Sequence, residues 1–500
     1  MLLAKRKVEW LVCCWPFNAS CWGENELNGG VFTGKLAGKN NDVVRSYKAG
    51  IFLPQHLPLH LGESYVVRGM GPLSRTVRRS LSGGRGLAKA LALLFVVTIV
   101  WLQARLTGLT GDSVPFLFED IVPPSNVSWA FHNATSDTLR ALRAYVDQVN
   151  GLQTVHNFYI HGPLSPNDPV IVVQIHNRWH YLFSLLSSLK TAPGINRTLL
   201  VLSHDEYNPV IETLASRVTF CKMIQIFFPY AIQLYPNQFP GQDPKDCPRN
   251  MKKEDAIRIA CNNANHPDNF GHYREAKFSQ TKHHWWWKMN QLMDGLNITR
   301  DHHGPFILLE EDHYVVPDFL HVLRLMEESQ DRCKGCTMLV LGTYLKSYNY
   351  RNTGDQAEIL RWASSKHNMG MVIYRDLWTH LKRNCSTVFC YFDDYNWDWS
   401  LYRVSMACLS APIQVMVIKS PRIFHIGECG VHHKGKDCSS QRMVEQARRI
   451  ISSARSYLFP SKLVVKAGSQ RSVKPPKGNG GWGDVRDHQL CLNSTQIGVR

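Results

Sequence analysis

Residues 169–202 read PVIVVQIHNRWHYLFSLLSSLKTAPGINRTLLVL, and the order of patterns within them decides the fold. Val170 to Ile175 is an apolar run, Tyr181 to Leu189 has the amphipathic spacing of a helix, and Leu199 to Leu202 is a second apolar run. Strand, helix and strand in one such stretch make a βαβ unit. Further apolar runs follow at Met223 to Phe228, Phe306 to Leu309, Met338 to Leu341 and Met369 to Tyr374. Strands apolar on both faces fit a mostly parallel α/β sheet covered by helices.

In an open α/β sheet, ligands gather at the carboxyl ends of the strands. The residues there are polar: Gln174, His176, Asn177 and Arg178 after the first run, His204 and Asp205 after the second, and Glu310, Glu311 and Asp312 in FILLEEDHY, 306–314. No GxGxxG or GxxxxGK[ST] accompanies the first turn, which argues against a dinucleotide fold and a P-loop NTPase. A divalent cation bridging a diphosphate needs one or two hard oxygen ligands on a rigid mount. The EED strand end provides that mount, or it merely solvates the strand end. His425 in PRIFHIGECG follows the apolar stretch Ile413 to Ile418 and is either a second ligand or a structural histidine.

Tyr391 to Trp399, YFDDYNWDW, packs Asp393, Asp394 and Asp398 among aromatics. Aromatic walls form a sugar platform, and their low dielectric raises a carboxylate toward the range useful in a base. The bland reading is an aromatic core turn with solvated acids. Gln280-Thr281-Lys282-His283-His284 precedes Trp285, Trp286 and Trp287; Lys282 and the histidines suit phosphate charge, and the tryptophans suit a core. HHWWW is not HExxH, so zinc-protease chemistry lacks its signature.

The composition, 44% hydrophobic with 11% aromatic residues, excludes wholesale disorder. The net charge of +17 invites a nucleic-acid reading, but residues 1–105 hold 14 Lys and Arg against 5 Asp and Glu. That basic excess adjoins the hydrophobic segment Ala90 to Leu102, extended by Leu87 and Ala88, so it reads as a membrane-topology signal rather than a nucleic-acid footprint. Arg75, Arg78, Arg79, Arg85 and Lys89 precede the segment and only Arg105 closely follows, which makes it a type II signal-anchor. A cleaved signal peptide is the alternative, without a clear small-x-small site to support it, and a buried core helix is a weaker one. The expected organisation is a cytosolic tail over 1–86, a transmembrane helix over 87–103, a lumenal stem over 104–168 and a catalytic domain over 169–500. The stem reading stands although Thr138 to Val149 has a helical pattern.

Eleven cysteines and six N-x-S/T sequons, at Asn126, Asn133, Asn196, Asn297, Asn384 and Asn493, lie beyond the anchor. Both fit an oxidising, glycosylating lumen. Cys333-Lys-Gly-Cys336 has no second CxxC, so structural disulfides are favoured over zinc; eleven being odd, at least one thiol is free or unusually paired.

The segments QIHNR, FFPYAIQLYPNQFPG, FGHYREAKFSQTKHHWWWK, LEEDHY, HNMG, DDYNWDW, PRIFH and NGGWGD span Pro169 to Cys491. Together they resemble the Golgi α-1,6-mannosyl-glycoprotein 2-β-N-acetylglucosaminyltransferase family of complex N-glycan synthesis. The resemblance implies a GT-A (Rossmann-like) glycosyltransferase domain, a UDP-GlcNAc donor, an N-glycan acceptor, Mn2+ and an inverting transfer. It implies donor contacts at Gln174, Ile175, His176, Asn177, Arg178, Asp205 and Gln280, Thr281, Lys282, His283 and His284. It further implies manganese ligands Asp312 and His425, the catalytic base Asp398, a place in the Golgi membrane, and no nucleic acid; a homodimer stands as an expectation. The implied disulfides are Cys247 with Cys261, Cys333 with Cys336, Cys385 with Cys408, Cys390 with Cys491 and Cys429 with Cys438, leaving Cys221 free. One departure is LKSYNYRNTG after Thr343-Tyr344, where Tyr348 stands near a substrate-contacting arginine of the family and Arg351 is the candidate substitute. The rival classes are a glycoside hydrolase, which needs neither UDP-sugar nor metal, and a lectin-like binder without turnover.

Met70 opens MGPLSRTVRRS, a natural short basic tail ahead of an anchor, and residues 1 to 69 show no sustained periodicity. Peptide mapping of the native protein by mass spectrometry should find nothing from residues 1–69; recovery of such peptides refutes a start at Met70.

Overall fold

The computed structural model describes residues 135–344, 348–428, 441–469 and 477–498. The anchor 87–103, the tail, the stem up to residue 134 and the pair Cys429–Cys438 lie outside them. Among the described residues no helix is long and apolar enough to cross a membrane.

A nine-stranded mixed sheet forms the centre. Its strands are β1 (Val170–Ile175), β2 (Leu199–His204), β3 (Lys222–Phe227), β4 (Phe306–Glu310), β6 (Cys336–Val340), β7 (Gln356–Arg361), β8 (Met371–Ile373), β9 (Gln414–Ile418) and β11 (Val464–Ala467), in the order β11-β7-β9-β6-β8-β4-β1-β2-β3. β5 (His313–Val315) and β10 (Ile423–His425) pair separately as an antiparallel ribbon. β3, β2, β1, β4, β6 and β9 run in one direction, while β8, β7 and β11 run against them. The sheet is therefore parallel-dominated, with β8 inserted antiparallel between β4 and β6. Apolar periodicity carries burial but no direction, so the run at Met369 to Tyr374 could not announce that reversal.

The helices used below are α1 (Ser136–Leu152), α2 (Trp179–Lys190), α3 (Pro209–Ser216), α4 (Ala276–Asn290), α5 (Phe319–Glu327), α6 (Arg375–Tyr391), α7 (Trp397–Ala407), α8 (Gln441–Ala454) and α9 (Val485–Ser494). β1, α2 and β2 make the βαβ unit, and β2 is buried along its whole length. Part of the segment expected to be stem is instead built into the folded body. α1 buries Leu142 and Val146, Arg143 donates to the Leu234 carbonyl, and Asn150 exchanges two hydrogen bonds with the main chain of Phe227 at the end of β3. The helical stripe was legible; its packing partner, some eighty residues along the chain, was not.

Trp285, Trp286 and Trp287 of α4 lie in the main core. Trp285 stacks on Trp397 at the start of α7, 4.7 Å between ring centroids, and Trp286 on Phe389 of α6 at 4.3 Å. Disulfides join Cys247–Cys261, Cys333–Cys336, Cys385–Cys408 and Cys390–Cys491, and Cys221 is free and buried. The third and fourth anchor α6 to the end of α7 and to α9.

The β5–β10 ribbon rests on one wholly buried ion pair. Arg422 donates through Nε to Asp318 Oδ1 at 2.8 Å, and through its two other nitrogens to the carbonyls of Ser420 and Gly354. Asp318 Oδ2 accepts the Phe459 N–H at 2.9 Å. Arg422→Met strands the Asp318 charge in the interior, so denaturant unfolding should show a loss of roughly 3–5 kcal/mol. A loss under about 1 kcal/mol, an ordinary surface effect, refutes a supporting role for the pair.

Candidate active site

Three neighbouring strands end together. β1 delivers Gln174 and the turn His176–Arg178, β2 delivers Asp205, and β4 delivers Glu310, Glu311 and Asp312. The ribbon adds His425, in register with His313.

Glu311, only 1% exposed, ties the first and third of these ends. Its Oε2 accepts the His176 N–H at 3.0 Å and the Arg178 N–H at 3.4 Å, while Oε1 accepts Arg178 Nε at 2.6 Å. Burial pushes Glu311 upward in pKa; the Arg178 and His176 charges oppose it. So held, Arg178 reaches Asp312 Oδ2 with Nη1 at 2.8 Å.

His425 Nε2 lies 3.4 Å from that same Asp312 oxygen. The other oxygen, Oδ1, is buried without a hydrogen-bond partner among the described residues. Burial alone would raise Asp312; His425 and Arg178 more than offset it, keeping the carboxylate ionised below the usual range. Burial likewise opposes charge on His425, and Asp312 reverses the balance. A Cβ at Gly427 would collide with Asp312 Oδ2, so glycine leaves that carboxylate its room. Ligating atoms of Glu310, Asp312 and His313 lie within 4.8 Å of one another. His313 Nδ1, however, accepts the Glu310 N–H at 3.1 Å, and burial pushes this imidazole down to about 4, leaving it neutral and structural. An ionised oxygen with an unused buried lone pair beside an imidazole is the donor set of a divalent-cation site, and the residues fit one.

At β2, Asp205 Oδ1 lies 2.7 Å from His176 Nδ1, and Oδ2 lies 3.7 Å from His284 Nδ1. The His284 Nε2 is 2.8 Å from Ser203 Oγ. Asp205 pushes His176 up to about 10, so a half-exposed imidazolium stands at these strand ends at neutral pH. Beneath β1 and β4, Lys288 Nζ donates to Gln174 Oε1 at 2.6 Å. Burial pushes Lys288 down and Glu310 up, and each charge resists the other's shift.

Asp398 sits in the first turn of α7. Oδ2 accepts Ser364 Oγ at 2.8 Å and Asn368 Nδ2 at 3.0 Å, and Oδ1 accepts the Trp399 N–H at 2.9 Å. Burial pushes this carboxyl up against the pull of those donors. Beside the metal-fitting pair stands Tyr344, its ring 6.3 Å from that of His425; burial pushes its hydroxyl up in pKa, and the charges of Glu310, Asp312 and Asp398 add to the shift.

Not every expected residue joins this site. Ile175 is wholly buried and takes part through its carbonyl, which accepts the Asp205 N–H. Asn177 is exposed and donates to Glu206. Gln280 accepts the Ile232 N–H, and Thr281 keeps some exposure. The expected phosphate contact at Lys282 is corrected: its fully buried ammonium donates to the carbonyls of Phe392 at 2.9 Å and Asp394 at 3.0 Å, over the Trp482 ring. His283 is likewise buried, 2.9 Å from Asp487. Lys282 thus braces the loop that precedes Asp398, and His283 ties α4 to α9. Tyr348 packs edge-on against Phe424, and Arg351 is exposed on the turn Tyr350–Thr353. Sequence reasoning missed Tyr344, Lys288 and Ser364 as site residues. A lone tyrosine, lysine or serine carries no pattern, and only the folded neighbours mark it.

A family model described as N-acetylglucosaminyltransferase II matches residues 143–491. The mouse alpha-1,6-mannosyl-glycoprotein 2-beta-N-acetylglucosaminyltransferase is 47% identical over 72% of this chain and 81% of its own length. The human protein of the same name is 44% identical over 79% of this chain and 90% of its own.

The raised His176 contributes stability that is fully present below its ordinary value of 6.5 and is lost as pH rises through about 10. NMR titration should therefore find the His176 ring protonated at pH 8, and Asp205→Asn should bring its midpoint back toward 6.5. A wild-type ring that titrates near 6.5 overturns this pairing.

Proposed function

The chain belongs to the N-acetylglucosaminyltransferase II family, and on that premise we propose that it transfers GlcNAc, with inversion, from UDP-GlcNAc. The acceptor is the 2-hydroxyl of the α-1,6-arm mannose of an N-glycan that already carries GlcNAc on its other arm. The parallel-dominated sheet with a cation-fitting strand end supports a GT-A fold. The same reading makes the protein a single-pass type II enzyme of the Golgi membrane, and a homodimer is compatible with it. The observation that carries the proposal is the metal-fitting pair at the end of β4: Asp312, whose buried Oδ1 has no hydrogen-bond partner among the described residues, with His425 Nε2 3.4 Å from its Oδ2.

Asp312 and His425 would hold the cation, Mn2+ by family resemblance, which when bound supplies Lewis-acid charge to a diphosphate leaving group. Arg178 and the His176 imidazolium add fixed positive charge to the same strand ends. Asp398, its orientation set by Ser364, Asn368 and the Trp399 N–H, takes the proton from the mannose 2-hydroxyl. That oxygen bonds to the anomeric carbon as the bond to the phosphate oxygen breaks on the opposite face, and UDP leaves with the electron pair. One displacement converts an α-linked donor to a β-linked product.

Incubating the full-length chain with UDP-GlcNAc and a one-antenna GlcNAc-bearing N-glycan should yield the extended glycan and UDP, and a chelator should stop it. Asp398→Asn should lower kcat by about 10²–10⁴-fold, the usual worth of a general base, with UDP binding intact. Because burial raises Asp398, the wild-type rate should already fall at a pH above the ordinary carboxylate range as the base protonates. Retained turnover in the Asn variant refutes the base assignment, and chelator-resistant transfer refutes the metal.

A further inference from the structure

Lys288, in the last turn of α4, is 1% exposed, and Gln174 Oε1, 2.6 Å from its Nζ, is its single hydrogen-bond partner among the described residues. Gln174 is the one partly exposed residue of β1, and it stands in register with Glu310 at the end of β4. Its main-chain carbonyl is taken by the Glu311 N–H at 3.0 Å, so the backbone on which the carboxamide swings is fixed. Gln174 Nε2 has no protein hydrogen-bond partner among the described residues.

A carboxamide has one accepting edge and one donating edge, and left alone it can turn over. A protonated lysine, the state that the neighbouring Glu310 charge favours against burial, only donates. With Oε1 drawn inward by Lys288, the N–H edge of this partly exposed side chain is turned away from the buried lysine. We propose that Lys288 is a positioning residue for the donor nucleotide, locking Gln174 so that it offers N–H groups rather than a carbonyl to UDP. UDP presents mainly acceptors, the uracil and phosphate oxygens, so the locked orientation is the complementary one. The flipped amide would set two acceptors against each other and leave the Lys288 charge facing an amide N–H. This inference rests on the transferase reading above.

UDP affinity of the full-length chain, at fixed Mn2+ and measured by calorimetry, tests the role through a double-mutant cycle. Lys288→Met and Gln174→Leu should each weaken UDP binding about tenfold, a scale set by one charge-assisted hydrogen bond. The double variant should bind no worse than Gln174→Leu alone. Lys288→Met should raise KM for UDP-GlcNAc with kcat little changed, and Lys288→Arg should restore most of the loss. Gln174→Glu covers the risk that a neutral residue at 288 misfolds. The new carboxylate pairs with Lys288, so the melting temperature should hold or rise, while UDP affinity falls about tenfold or more because an oxygen replaces the N–H edge. Additive losses in the cycle, or wild-type UDP affinity in Gln174→Glu, overturn the positioning role. Wild-type protein that binds no UDP at all overturns the transferase reading itself, and this inference with it.

Discussion

The site depends on a single buried carboxylate, Glu311. It collects two main-chain N–H groups and the Arg178 guanidinium, so the turn after β1 and the turn after β4 are held as one piece. Two groups with a chemical use hang from that joint. Arg178 is aimed at Asp312, and His176 is held where Asp205 can charge it. A carboxylate in the interior is costly unless its lone pairs are met, and here each oxygen has a donor. The interaction is thus better understood as fixing geometry than as adding much stability.

The same logic recurs beneath the Asp398 loop. Arg274 and Asp487 form a buried ion pair that the His283 ring joins, and Lys282 caps two carbonyls of the loop that leads into α7. Buried charges of this kind are satisfied in one arrangement of the chain and penalised in its neighbours, which is how a loop comes to hold a carboxylate still. Asp398 then needs only Ser364, Asn368 and one helix N–H to define its orientation. Two acidic centres with opposite tuning result: Asp312 is held ionised, while Asp398 is raised toward the range of a base.

How much of this was legible depended on whether the signal was local. β1, β2, β3, β4 and β6 announce themselves as apolar runs because both of their faces are buried. β7 does not, since its side chains are mostly half-buried and its sequence, QAEILR, is mixed. The EED strand end and the aromatic acids around Asp398 were visible as unusual chemistry in unusual places. Lys282 was visible too, but misleading: a lysine beside histidines suits a phosphate equally well on paper, and only its burial under Trp482 reassigns it.

By itself the sequence determined the α/β class, the polar strand ends and the residue types able to hold a metal or move a proton, because periodicity and side-chain chemistry are local properties. The family match extends over residues 143–491. Only the tertiary structure decided which of those residues meet. The ribbon of β5 and β10 sets His425 against Asp312 across more than a hundred residues of chain, and α4 passes Lys288 under Gln174. Such pairings are set by packing between distant segments, where direction, register and burial are decided jointly and no single stretch encodes the outcome.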